Sequence, residues 1–228
     1  MALVYYKNVS KIYNDHAIVL DNISFEILNN EFVSLVGKSG VGKTTLLKLL
    51  IAEEKPTKGR IFFNDKDVTK MSPSDLVWLR RKIGVVFQDF KLLPNKTCFE
   101  NVAFVLESTG YPAEEIKKEV PEVLNLVGLG DKANNFPYQL SAGEKQRVAI
   151  ARAIIQKPDL LLADEPTGNL DPINTWDIIR LLLKINELGT AILLSTHEKE
   201  IVNTLGRRVI TLENGRIIRD EQKGKYIL

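Results

Sequence analysis

Residues 37–44 read GKSGVGKT, which satisfies G-x-x-x-x-G-K-[ST], a spacing that serves the holding of a polyphosphate. Gly37, Gly40 and Gly42 permit backbone conformations that turn successive N–H groups inward, and Lys38, Ser39, Val41 and Thr45 complete the cradle around them. Lys43 supplies a positive charge for β and γ oxygens, and the Thr44 hydroxyl is a ligand for Mg²⁺. A glycine turn with a surface lysine is the plain alternative, and it leaves the order strand, loop, helix unexplained.

Residues 160–165, LLLADE, read as a buried strand that delivers Asp164 and Glu165 at its C-terminal end, where open α/β sheets hold ligands. Asp164 is expected to hold Mg²⁺ and Glu165 to orient or deprotonate an attacking water. His197 follows the strand AILLST within reach of a γ-phosphate, and Gln88 follows IGVVF, where its amide could meet Mg²⁺ or water. In LSAGEKQR, Ser141 and Glu144 form a capping box for the next helix, yet the free N–H groups of Ala142 and Gly143 beside that hydroxyl also make a second anion site. Asp171-Pro172 reads as an N-cap and N1 pair.

The elements that must carry these residues alternate. Strands are expected at 18–27, 32–36, 59–63, 83–87, 160–163 and 191–195. Helices are expected at 44–54, from Pro73 to Arg81, at 142–156, at 172–188 and from Glu198 onward. Such alternation argues for a mostly parallel sheet. Residues 91–139 carry helical patterns at 97–108 and 113–127, with a kink expected at Pro121, and read as an inserted helical subdomain. Asn214-Gly215 between two short strands is the strongest hairpin signal.

The chain has 228 residues, with 31 Lys+Arg against 29 Asp+Glu and a net charge of +2, so it lacks the basic footprint of a nucleic-acid binder. Its one cysteine, Cys98, excludes an internal disulfide and a cysteine-based zinc site and fits a reducing compartment. No secretory leader pattern opens the sequence, and no apolar run approaches the roughly 20 residues that cross a bilayer. The nearest guanine-reading N-K-x-D candidate, Asn95-Lys96-Thr97-Cys98, has a cysteine where the acid should stand, which disfavours a GTPase.

GKSGVGKT, Gln88, LSAGEKQR, LLLADE, Asn169-Leu170-Asp171 and His197 occur in the order and approximate spacing of the nucleotide-binding domain of ABC ATPases, and the resemblance covers essentially the whole chain. It implies an α/β fold: a P-loop core of mostly parallel sheet with flanking helices, an N-terminal antiparallel β subdomain and the inserted helical subdomain. The implied division is residues 1–89 and 141–228 for the core and about 90–140 for the insertion. The resemblance further implies ATP and Mg²⁺, and a head-to-tail homodimer in which ATP on one subunit's Lys43 loop is capped by Ser141, Ala142, Gly143 and Glu144 of the other. Tyr13 would stack on adenine, Asp171 would belong to the binding site, His197 would sense the γ-phosphate, and Gln88 would link that phosphate to the helical subdomain. A membrane permease-like partner would dock there and hold the protein peripherally at the cytoplasmic face. The stretches LLKLLIAEEKPTKG, LRRKIGVVFQDFKLLPNKT and DKANNFPYQLS are most similar to members that serve cell division; ATPases of lipoprotein-releasing or macrolide-export systems have very similar motifs. A soluble member acting on nucleic acid is a distant alternative, with no room here for the extra domains those carry. Ala142 stands where the family's signature has its first glycine, so slower or weaker closure is expected, and Lys43-Thr44-Thr45 stands for the usual Lys-Ser-Thr.

Overall fold

Alternating apolar residues make two long opening strands, β1 (Ala2–Tyr13) and β2 (Ala17–Leu28), which pair antiparallel and bury Leu3, Tyr6, Val9, Leu20, Phe25 and Ile27 on one face. The computed structural model describes residues 2–13 and 17–226. A turn leads into β3 (Phe32–Val36), buried at all five positions, and then through the glycine-rich loop into α1 (Lys43–Leu50). β4 (Lys58–Phe63) and β5 (Lys66–Asp67) add to the first sheet, giving the order β2-β1-β4-β5.

The chain continues through α2 (Pro73–Lys82), β6 (Ile83–Val86), α3 (Cys98–Ser108), α4 (Ala113–Leu126), α5 (Ala142–Ile154), β7 (Leu160–Asp164), α6 (Pro172–Glu187), β8 (Ala191–Thr196), α7 (Lys199–Leu205), β9 (Arg208–Glu213) and β10 (Arg216–Glu221). The second sheet has the order β10-β9-β3-β8-β7-β6, parallel from β9 to β6, with β10 antiparallel at the edge. The fold is therefore an α/β core of mostly parallel sheet joined to an antiparallel β sheet, as the sequence led us to expect.

Burial on both faces explains why β3, β7 and β8 read as continuous apolar runs rather than alternating ones. Of the two large core clusters, one lies between the two sheets around Leu46, Leu50, Leu162 and Leu193, and the other joins α3, α4, α5 and α6 to the opposite face of the parallel sheet. Parallel pairing aligns the strand ends, so Val36 lies beside Thr196 and Asp164 beside Ser195. β3, β6, β7 and β8 consequently release their loops at one edge, carrying respectively the phosphate loop, Gln88, Asp164-Glu165 and His197.

One local expectation is corrected. α1 ends at Leu50 rather than Glu54, because Ala52 turns left-handed (φ 52°) and the N–H groups of Glu53 and Glu54 reach back to the Lys48 carbonyl. α4 runs unbroken through Pro121, its apolar face of Ile116, Val120, Val123 and Leu124 seated in the helical cluster. Between residues 90 and 140 the described chain holds α3, α4 and two short 3-10 turns and no strand.

Candidate active site

α1 begins on Gly42, which has φ 108° and no side chain to cap the helix. The first-turn N–H groups therefore stay open to an anion, as the sequence pattern requires. A Cβ at Gly42 would lie 2.9 Å from the Val19 carbonyl oxygen, and one at Gly37 would lie 2.4 Å from that of Leu212, so both positions are closed to side chains by neighbouring backbone. A cavity of about 360 Å³ flanks the loop, between residues 38–41, residues 18–19 and the hairpin turn 212–215.

Lys43 is buried, and its ammonium donates to the Gly37 carbonyl at 2.8 Å and lies 3.3 Å from Glu165 Oε1. Glu165 Oε2 in turn meets His197 Nδ1 at 2.8 Å. The carboxylate is held there by main chain: Glu165 adopts φ 48° and its N–H donates to the Ser195 carbonyl at 3.0 Å. The structure thus brings Lys43, Glu165 and His197, far apart in sequence, into one continuous polar chain.

Thr44 Oγ1 donates to Asp164 Oδ2 at 2.8 Å, while Asp164 Oδ1 is buried and without a partner among the described residues. A buried orphan carboxylate oxygen costs free energy unless a donor or cation meets it. Thr44 and Asp164 together therefore suit a hard, oxygen-seeking cation, and Mg²⁺ fits this donor set.

Gln88 lies elsewhere on the same rim. Its amide N–H is 3.5 Å from Asn169 Oδ1, Asn169 Nδ2 donates back to the Gln88 carbonyl at 3.0 Å, and Gly168 leaves space for the amide. Thr167, which sequence reasoning did not single out, is buried and donates its hydroxyl to the Glu198 carboxylate.

The Ser141–Glu144 capping box is present: Ser141 N–H donates to Glu144 Oε2 at 2.8 Å and Glu144 N–H to Ser141 Oγ at 3.3 Å. The Lys132 ammonium donates to the other oxygen of Glu144 and holds its carboxyl below the usual range, with the Ser141 N–H assisting. Ala142 is exposed in the first turn of α5 and has no positive φ, so alanine sits there without backbone strain. Gly143 is buried, and a Cβ on it would lie 2.3 Å from Asn174 Oδ1, which locks the start of α5 against the start of α6. Asp171 caps α6 with one oxygen accepting from Ile173 and Asn174 N–H at 3.0 Å each and the other from the Asn174 amide; these Asn174 bonds lower its carboxyl below the ordinary value. Its carboxylate is thus already engaged.

Tyr13 is half exposed and donates its hydroxyl to Glu54, whose other neighbour is the Lys11 ammonium at 3.1 Å. Burial and then Glu54 raise that hydroxyl's pKa, and Thr45 in the first turn of α1 opposes them. At the far end of the chain Tyr226 packs on Val36, Val202 and Val209, and burial followed by the charge of Glu165 raises its hydroxyl.

A groove of about 320 Å³ separates the sheet edge from the helical region, lined by Phe87, Leu93 and Phe104 with Arg80, Arg81 and Arg152 at its walls. Arg152 donates to the carbonyls of Lys91 and Phe90 at 2.7 and 3.0 Å, and burial lowers its pKa. No acidic side chain is among the described residues that line it.

A family model described as ABC transporter matches residues 20–168. The Cell division ATP-binding protein FtsE of Bacillus subtilis (strain 168) is 54% identical over 220 residues, covering 96% of this chain and 96% of that protein. The protein of the same name from Streptococcus pneumoniae serotype 2 is 49% identical over 226 residues, covering 99% and 98%. A solved dimeric structure, the ATP-binding cassette MJ0796 in a post-hydrolysis state bound to ADP and Pi, superposes with a TM-score of 0.87 at 37% identity, covering 98% of this chain and all (100%) of that one.

Proposed function

We propose that this chain, which belongs to the ABC transporter family, is the ATP-binding and hydrolysing subunit of a complex of the FtsE–FtsX kind, turning dimer closure over ATP into a signal to a membrane partner that regulates cell-wall hydrolysis in division. The observation that carries the chemical part is the Lys43–Glu165–His197 chain beside the Thr44–Asp164 pair. Lys43 and the open N–H groups of α1 take the β and γ phosphates, and Tyr13 receives the adenine. Glu165 accepts the proton of the attacking water, and His197 orients Glu165 and donates toward the γ-phosphate. Bound Mg²⁺, held by Thr44 and Asp164, would neutralise phosphate charge. Gln88 would reach that site after exchanging its contact with Asn169 for one on the nucleotide side.

Ser141, Ala142 and Gly143 are separate from this chain's own phosphate loop in sequence, and Ser141 and Ala142 are exposed at the start of α5, which supports the use of this segment on the nucleotide of a second copy. The relative MJ0796 is dimeric with ADP and Pi bound, which supports the same reading. We read residues 1–89 and 141–228 as the core and about 90–140 as the helical subdomain. The groove between them, apolar in its floor and lined by three arginines without an acid, suits a partner segment that is apolar on one side and acidic on the other. No described helix is long and apolar enough to cross a membrane; in this reading the partner held in the groove keeps the protein peripheral, at the membrane's cytoplasmic face. Identities of 54% and 49% to the two FtsE relatives over nearly the full chain support the division reading.

Mixing two inactive variants tests the composite site. Lys43→Ala and Ser141→Arg each damage both sites of a homodimer, but a mixed dimer keeps one site with Lys43 from one copy and Ser141 from the other. The mixture should hydrolyse ATP when neither variant alone does; a mixture as inactive as its parts, with Ser141→Arg still binding ATP, would refute closure by a second copy.

A further inference from the structure

From Glu165 to Asp171 every second side chain grips a different element. Glu165 holds Lys43 and His197, Thr167 holds Glu198, Asn169 holds Gln88, and Asp171 holds the start of α6. Three of these grips touch groups already given a role, whereas the Thr167–Glu198 bond has none.

His197 most needs positioning. Its side chain is 58% exposed, so packing does not fix the ring, and Glu165 is its one polar partner among the described residues. Its orientation must come from the main chain on either side. On one side Thr196 is fully buried at the end of β8. On the other, Glu198 is held twice: its N–H donates to Thr196 Oγ1 at 3.1 Å, and its carboxylate accepts the Thr167 hydroxyl. Glu198 also precedes α7, yet its side chain makes no cap bond to that helix and is left to Thr167. Thr167 is only 3% exposed, so its hydroxyl has no water to fall back on, and its bond to an ionised acceptor is of the stronger kind.

We propose that Thr167 is a positioning residue for hydrolysis: through Glu198 it clamps the turn that carries His197 and keeps the imidazole on Glu165. This inference rests on the reading of Glu165 and His197 as the reactive pair. It makes the loop after β7 responsible for both ends of that pair, Glu165 directly and His197 through Glu198.

Thr167→Val removes the hydroxyl at nearly constant volume, and Thr167→Ser keeps it. Steady-state kcat and KM for ATP are measured, and, without nucleotide, the rate at which diethylpyrocarbonate modifies His197, followed by peptide mass spectrometry. Thr167→Val should lower kcat about tenfold, with KM changed less than about twofold, and speed modification of His197, while Thr167→Ser stays near the parent in all three. Glu198→Ala, partly exposed and tolerant of truncation, should repeat the Thr167→Val result, and the double variant should fall no further than either single one. Parental kcat and parental His197 reactivity in Thr167→Val or in Glu198→Ala would overturn the proposal, as would equal losses in the valine and serine variants or losses that multiply in the double variant. His197→Ala and Glu165→Gln separate the two levels. If neither slows hydrolysis, the reactive pair itself is misassigned; if both do while Thr167→Val does not, only the clamp is wrong.

Discussion

Glu165→Gln should separate two functions of one carboxylate, because the substitution keeps the side chain's shape and removes its charge. That charge faces Lys43 at 3.3 Å, with only 6% and 15% of the two side chains exposed. At that distance and an effective dielectric of about 20 the gross attraction is about 5 kcal/mol. Desolvation of two buried charges cancels most of it, leaving a net contribution of about 1 kcal/mol. A nucleotide must draw Lys43 away from Glu165, so the pair competes with binding. Removing the competitor should tighten ADP binding about fivefold, the factor equivalent to about 1 kcal/mol. ADP is the probe of choice because the γ-phosphate and dimer closure do not enter; isothermal titration at low protein concentration reads it. In the same variant ATP turnover, measured as phosphate release, should fall by about 10²–10⁴, the usual contribution of a positioned general base. Parental turnover would remove Glu165 from the base role. Weaker ADP binding would show that the Lys43–Glu165 pair assists the loop rather than competing for its lysine, and the sign of the electrostatic argument would be wrong.

Two stability predictions come from the same charges and caps. Arg208 is buried at the start of β9 and binds Asp220 through Nε and Nη2 at 2.7 Å, Glu31 at 3.0 Å and the Glu26 carbonyl at 2.9 Å, with Asp220 the main cause of its raised pKa. Arg208→Met leaves the largely buried Glu31 carboxylate without its cation, whereas Asp220 faces water, so the loss in urea unfolding should be about 2–3 kcal/mol, partly restored by adding Glu31→Gln; a loss below about 1 kcal/mol would contradict the hub. The carboxyls of Asp75, Glu100, Glu144 and Asp171 are all lowered, by Ser72, by the Thr97 N–H, by Lys132 and by the Asn174 N–H respectively. Lowered folded pKa values mean that the unfolded chain takes up protons first, so this stabilisation is complete above about pH 5 and is lost as pH falls through the folded values. Melting temperature should therefore drop from about pH 5 to about pH 3, and a flat profile there would contradict it.

What the sequence made legible, and what it did not, divides along a physical line. Elements with strong local signals were readable to within a residue or two: Ser72-Pro73 starts α2, Asp171-Pro172 starts α6, and Asn214-Gly215 turns between β9 and β10. Where the local signal was missing the reading failed, as at the end of α1, where a left-handed Ala52 has no marker in composition. β1 went unread as a strand, although Leu3 to Val9 is apolar on the face it buries.

The site divides in the same way. Groups in a local pattern, from Lys43 to Ser141, were readable as candidates because that spacing lies within one loop. Thr167, Glu198 and Arg152 were not, because each acts across a gap that only the fold closes: 31 residues separate Thr167 from Glu198, and 61 separate Arg152 from the Lys91 carbonyl. Yet one signal was present in the sequence. Glu165, Thr167, Asn169 and Asp171 are polar at alternate positions directly after a buried strand, in a segment too polar to continue it. Such a run cannot bury a face against the core, so its side chains must find partners in the loops released by neighbouring strands. In a parallel sheet those loops all emerge at one edge, and they are the ones that carry the phosphate loop, Gln88 and His197. The loop after β7 contacts all of these groups, so a substitution in it is expected to disturb hydrolysis even when the residue changed touches no nucleotide.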